Sequence, residues 1–196
     1  RPMRSAMSRT LTALLLAAAI GSPLHADDKI DSGAYLAARI AETENDFRAA
    51  AGWYAKAIIA DSQNPQLLDG AILAEIGVGD LALAAEAAKL RKGLDVDTSQ
   101  LADFAILADE AKREDYAALV AGATDGRDIG DLANALVTAW AKVGEGNMSE
   151  ALEDFDAVTR KKGFEAFGYF HKALALASVG DFEGAAEILS GKAAGP

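Results

Sequence analysis

Asn45-Asp46-Phe47, Gly79-Asp80-Leu81, Glu114-Asp115-Tyr116, Gly146-Asn147-Met148 and Gly180-Asp181-Phe182 are versions of one short punctuation. Counted from the central Asp or Asn, the steps are 34, 35, 32 and 34 residues, and an alanine follows four places later in four copies (Ala50, Ala84, Ala151, Ala185). Self-similarity at this period marks stacked helical hairpins, in which each unit touches only its neighbours. Glycine in first place can take the left-handed conformation that ends a helix, and Asn45 tolerates it, whereas Glu114 suits it poorly. The central Asp or Asn is a good N-cap for a following helix. Each tripeptide is therefore expected to be a turn between antiparallel helices, with Phe47, Leu81, Tyr116, Met148 or Phe182 closing over it.

From Tyr35 to Ala185 apolar residues recur at three- and four-residue spacing, without the alternation of a strand, which predicts an all-α chain. Only Pro65 interrupts this body before Pro196. Helices that cross closely need small residues at the crossing, a role for Ala38 with Ala50, Ala139 with Ala151, and Ala173 with Ala185. Tyr54 and Phe155, at matching positions on second helices, fill the adjacent space. The units run about 31–64, 65–98, 99–131, 132–165 and 166–196. In the last, Gly191 and Ala193-Ala194-Gly195-Pro196 stop the second helix early and no polar capping helix follows, so the stack is expected to continue beyond the chain end.

Residues 1–26 are foreign to this pattern: Arg1, Arg4 and Arg9 precede an apolar run from Leu11 to Ile20, then Gly21, Ser22, Pro23 and Ala26. Positive, then hydrophobic, then small is the layout of a secretory signal peptide, which predicts cleavage after Ala26, a mature domain over 27–196 and a periplasmic or secreted protein. The run is too short to span a bilayer comfortably, so no stable membrane insertion is expected after cleavage. There is no cysteine, hence no lipobox to acylate and no disulfide or thiolate chemistry. The whole chain has 19 Lys+Arg against 30 Asp+Glu, a net charge of −11. Removing the leader takes three arginines and no acid, leaving −14. So acidic a body repels phosphate backbones, which argues against nucleic acid as a partner.

The turns, the paired small residues and the ending Tyr54…Ala57…Asp61…Asn64-Pro65 resemble the tetratricopeptide repeat (TPR), especially its Ala-rich exported form in Gram-negative, alphaproteobacterial-like bacteria. The resemblance covers residues 31–192. It departs from the family at Ala34, where the pattern has Trp, at Arg91, where it has a small residue, and around Glu114 and Gly122 to Gly130. It implies a right-handed α-solenoid of about five antiparallel hairpins, the last incomplete, with the first helix of each lining a concave face that binds protein or peptide. Matched to that pattern, Tyr35, Arg39, Asp69, Leu73, Ile76, Leu107, Trp140 and Phe170 fall on this face, with Glu42, Asp103, Leu136 and Leu174. The carboxylate clamp of chaperone-binding members is not matched, since Tyr35, Gly70 and Phe104 stand near its positions. Trp140 either anchors a partner or packs against the neighbouring hairpin.

Catalytic chemistry finds little support. His171 is the one histidine after residue 26, and without cysteine or a second histidine it builds neither a zinc site nor a nucleophile pair. Asp125-Gly126-Arg127-Asp128-Ile129-Gly130-Asp131 lacks the alternating ligands and closing glutamate of a calcium loop and reads as a connection with Asp131 as N-cap. Glu42/Glu44, Asp109/Glu110 and Glu153/Asp154 read as solvated helix faces. The expectation is a non-catalytic exported scaffold that needs no metal or cofactor and binds a protein or peptide partner. The alternative is the N-terminal repeat region of a larger exported enzyme or envelope-assembly factor.

Overall fold

All five tripeptides lie between helices. The structure, a computed structural model, describes residues 32–94 and 96–191, so the leader, its cleavage after Ala26 and the tail at 193–196 lie outside the described residues. Ten helices and no strand occur among the described residues: α1 Ser32–Thr43, α2 Phe47–Ala60, α3 Pro65–Val78, α4 Leu81–Lys92, α5 Gln100–Lys112, α6 Tyr116–Thr124, α7 Asp131–Gly144, α8 Met148–Thr159, α9 Glu165–Ser178 and α10 Phe182–Leu189. Each helix packs against the next, the arrangement of a helical repeat. None is long and apolar enough to cross a membrane.

The first residue of every tripeptide is left-handed: Asn45 (φ 59°), Gly79 (87°), Glu114 (56°), Gly146 (83°) and Gly180 (88°). Its N–H donates three residues back, and the next N–H donates five residues back, as in Asp46 N–H to the Ala41 carbonyl and Asp181 N–H to that of Leu176. These two bonds form the Schellman motif, which satisfies carbonyls that a helix end otherwise leaves free. The same motif thus closes the first helix of all five hairpins. Asp46, Asp80, Asp115 and Asp181 then accept from the amides of Ala49, Leu83, Ala118 and Gly184, capping the second helix. Asn147 holds the cap position without a cap bond and donates instead to Glu145.

Glu114 adopts the conformation its side chain disfavours, because the bonds of Glu114 N–H to Ala111 and Asp115 N–H to Glu110 hold the backbone there. A left-handed residue with a Cβ is strained by about 1–2 kcal/mol, offset partly by the greater unfolded-state freedom of glycine. Glu114→Gly is therefore expected to raise stability by about 0.5–1 kcal/mol in urea denaturation. No gain at that position would show that the turn relieves the strain in another way.

The alanines predicted at close crossings, Ala38, Ala50, Ala139, Ala151, Ala173 and Ala185, are all buried, as are Tyr54 and Phe155. Buried clusters recur over three helices at a time: Ala38, Ala50, Tyr54 and Leu67 join α1 to α3; Ile72, Ala84 and Ala102 join α3 to α5; Ala139, Ala151, Phe155 and Ala175 join α7 to α9. Phe47 and Tyr116 reach beyond the turn itself, whereas Phe182 is 71% exposed. A Cβ added to Gly77 of α3 would lie 2.3 Å from the Phe47 ring, and one on Gly144 of α7 would lie 2.4 Å from Tyr116. Each ring therefore sits on bare backbone of the following hairpin.

The α5–α6 hairpin is looser than the others, its helices meeting along a short stretch. Leu107 and Leu119 stand eight before and four after Asp115, where the other turns place alanine or, at Ile72, one large residue. Two leucines at one crossing hold the axes apart. One expectation is corrected in the following loop: Asp131 is the first residue of α7, and the cap position belongs to Gly130 (φ 85°), which offers no side-chain bond. A carboxylate in that first turn still faces the positive end of the helix dipole.

Candidate binding surface on the first helices

Tyr35 and Arg39 sit one turn apart on α1. Tyr35 is 38% exposed and borders a small depression with Asn64, Gln66 and Leu67. The Arg39 guanidinium donates to Glu42 at 2.7 Å, and the same carboxylate oxygen accepts from the buried Tyr54 hydroxyl at 2.8 Å. The Tyr54 hydroxyl, and then Glu42, raise the Arg39 pKa; burial, and then Glu42, raise that of Tyr54. The surface cation of α1 is thus tied to the core by one shared carboxylate.

Asp69, expected to face a ligand, is occupied within the fold. It accepts from Arg91 Nε at 3.2 Å and from the Ser99 hydroxyl at 3.0 Å. Leu73 is exposed, and Ile76 packs half-buried on the second cluster. Leu107 and Trp140 share one apolar cleft of about 260 Å³ between α5, α6 and α7, lined also by Ala111, Tyr116, Leu119, Leu136 and Val137. The leucine pair that loosens the third hairpin opens this cleft.

Trp140 does pack against the neighbouring hairpin. Its indole Nε1–H donates to His171 Nδ1 of α9 at 3.0 Å, and its ring meets Phe155 edge-on at 5.7 Å. An acceptor at Nδ1 places the proton of neutral His171 on Nε2, and burial lowers the His171 pKa, favouring that neutral form. Phe170 stands edge-on to His171 and is 51% exposed. The surface therefore joins Leu107 to Trp140 and, through His171, Trp140 to Phe170. Tyr35 and Arg39 stand on α1, and Asp69 belongs to an internal network.

Two buried cations were not legible as such. Arg91 is 3% exposed and linked to Asp69 and Asp97. Arg127 lies over Gly122, where a Cβ would come within 2.6 Å of its Nη1. Its Nε donates to Asn134, whose side-chain amide donates back to the Arg127 carbonyl. Glu110 Oε2 stands 4.0 Å from Nη1, and burial lowers the Arg127 pKa while raising that of Glu110. The sequence signals were the glycine facing Arg127 and the departure from a small residue at Arg91.

Among the described residues no three His, Asp or Glu side chains gather into a metal-binding cluster. Asp103, a groove candidate, is buried, paired with Lys92 and accepting from the Asp128 amide. No protein-family model matches the chain, and comparison with curated proteins finds no match.

Proposed function

We propose that the chain is a non-catalytic, exported tetratricopeptide-type scaffold, a right-handed superhelix of about five hairpins that binds a protein or peptide through the concave face made by its first helices. The observation that carries this reading is what the first helices bury and what they leave exposed, although second helices also expose Trp53, Leu83 and Leu90. Alanines at the crossings are buried, while the same first helices leave large apolar side chains in solvent: Tyr35 and Leu36 on α1, Leu73 on α3, Phe104 on α5, Phe170 and Leu174 on α9. Apolar surface on four of the five first helices, α7 being the exception, is what a partner would cover, because aromatic anchors surrounded by weaker contacts dominate interfaces. The recurrent Schellman turn with its Asp cap supports the repeat assignment.

The α1 pair is the first test. Tyr35→Ala with Arg39→Ala is expected to weaken a partner captured by pull-down by about 2 kcal/mol, roughly thirtyfold, as loss of an anchor does. Circular dichroism should stay unchanged, since both side chains lie at the surface. Substituting Ile59, 86% exposed on α2, should have little effect on binding. Normal binding by the double variant, with loss on changing Ile59, would move the site to the second helices.

A further inference from the structure

Between the first halves of α7 and α9 lies an open-sided depression of about 540 Å³, distinct from the cleft at Trp140. Its apolar walls include Ile129, Leu136, Phe164 and Phe167, and its polar side chains are Asp131 and His171. His171 Nδ1 is already taken by Trp140, and the ring stacks on Phe155, 11° from parallel. With Nδ1 accepting from the indole, the ring is neutral and brings no cation, so Asp131 is the one charged side chain of the lining. That carboxylate is 85% exposed and 3.7 Å from Lys161, itself half-exposed, a pairing that leaves it free to meet another charge.

An aromatic and aliphatic wall with an exposed, loosely paired carboxylate at its edge, on a chain of net charge −11, fits an amphipathic cation. Resting on the first-helix reading above, we propose that this depression receives a lysine or arginine side chain of a polypeptide partner. The methylene stem covers Phe164, Phe167 and Leu136, and the cation stands beside Asp131. Long basic side chains behave in this divided way, burying the stem while the head stays in water. A cation near a phenylalanine ring gains further attraction. A glutamate in the same place would be repelled by Asp131, and a neutral chain would gain nothing from that carboxylate.

The test uses the whole chain and three small probes: N-acetyl-lysine N-methylamide, the norleucine analogue with the same stem and no charge, and the glutamate analogue. Ring resonances of His171, Phe164 and Phe167 report binding by NMR. The lysine probe is expected to bind with a dissociation constant on the order of 1 mM, the norleucine probe about fivefold more weakly and the glutamate probe more weakly still. Asp131→Asn, or about 0.5 M salt, should erase the lysine preference, and Phe167→Leu should weaken both stems. Equal affinity of lysine and norleucine probes at low salt, a preference that survives Asp131→Asn, or shifts confined to other residues would overturn the proposal. The two readings separate on a captured partner. Binding lost with Tyr35→Ala and Arg39→Ala but kept with Asp131→Asn and Phe167→Leu defeats the basic pocket and leaves the first-helix reading standing.

Discussion

Phe155→Ala is expected to lower the unfolding free energy by about 3–5 kcal/mol, the largest loss of any single side chain considered. Phe155 is fully buried where α7, α8 and α9 meet, against Ala139, Ala151 and Ala175, with Leu136, Trp140, Val143 and Met148 packed around the cluster. How far those larger side chains relax into the space sets where in that range the cost falls. The ring also backs the Trp140–His171 bond, stacking on His171 at 6.5 Å and meeting Trp140 at 5.7 Å. Phe155→Leu, which retains most of the volume, should cost about 1 kcal/mol. Urea denaturation followed by far-UV circular dichroism measures both. Repeat stability is approximately a sum over neighbouring units, so hydrogen exchange should quicken across α7 to α9 and change little in α1 to α3. A loss below about 1.5 kcal/mol for alanine would mean that the hairpins close over the gap.

What the chain declared openly was local. Turn chemistry at Asn45, Gly79, Gly146 and Gly180, and the Asp caps beside them, depends on residues within one turn of each other, so the hairpins and their close crossings could be read directly. Glu114 shows the limit of that reading. Its propensity opposed the turn, and the hydrogen bonds of the motif overrode it. The Leu107 and Leu119 pair was visible only as a missing alanine; that it opens an apolar cleft depends on how three helices settle around it. The candidate surface came from the tetratricopeptide resemblance, which set Tyr35, Leu73 and Phe170 on the first helices, where they are exposed. The role of Asp69 was not legible, because its partners lie 22 and 30 residues away and no local rule connects them. His171 likewise became meaningful only once α9 had placed it against an indole from the preceding hairpin.

Arg91→Met is the second large effect, an expected loss of about 2–3 kcal/mol despite the close match in side-chain bulk. Arg91 lies in the last turn of α4 and is 3% exposed. Its guanidinium reaches Asp69 of α3 through Nε, the Asp97 carbonyl through Nη1 at 3.0 Å and the Asp97 carboxylate through Nη2 at 3.0 Å. Asp69 in turn accepts from the Ser99 hydroxyl, whose oxygen caps α5 at Ala102 N–H. One planar cation therefore fastens the connection between α4 and α5 and indirectly sets the start of α5. Breaking a buried ion pair costs about 3–5 kcal/mol when the surviving charge stays buried. Here Asp69 is 36% and Asp97 80% exposed, so both can recover water and the loss falls below that range. Arg91→Lys should be intermediate, because one ammonium cannot present three donors in a fixed fork. Adding Asp69→Leu to Arg91→Met should recover part of the loss, since the acceptor left without its partner is then removed as well. If Arg91→Met and Arg91→Lys are equally stable, or the second substitution recovers nothing, the fork geometry is not what holds the second and third hairpins together.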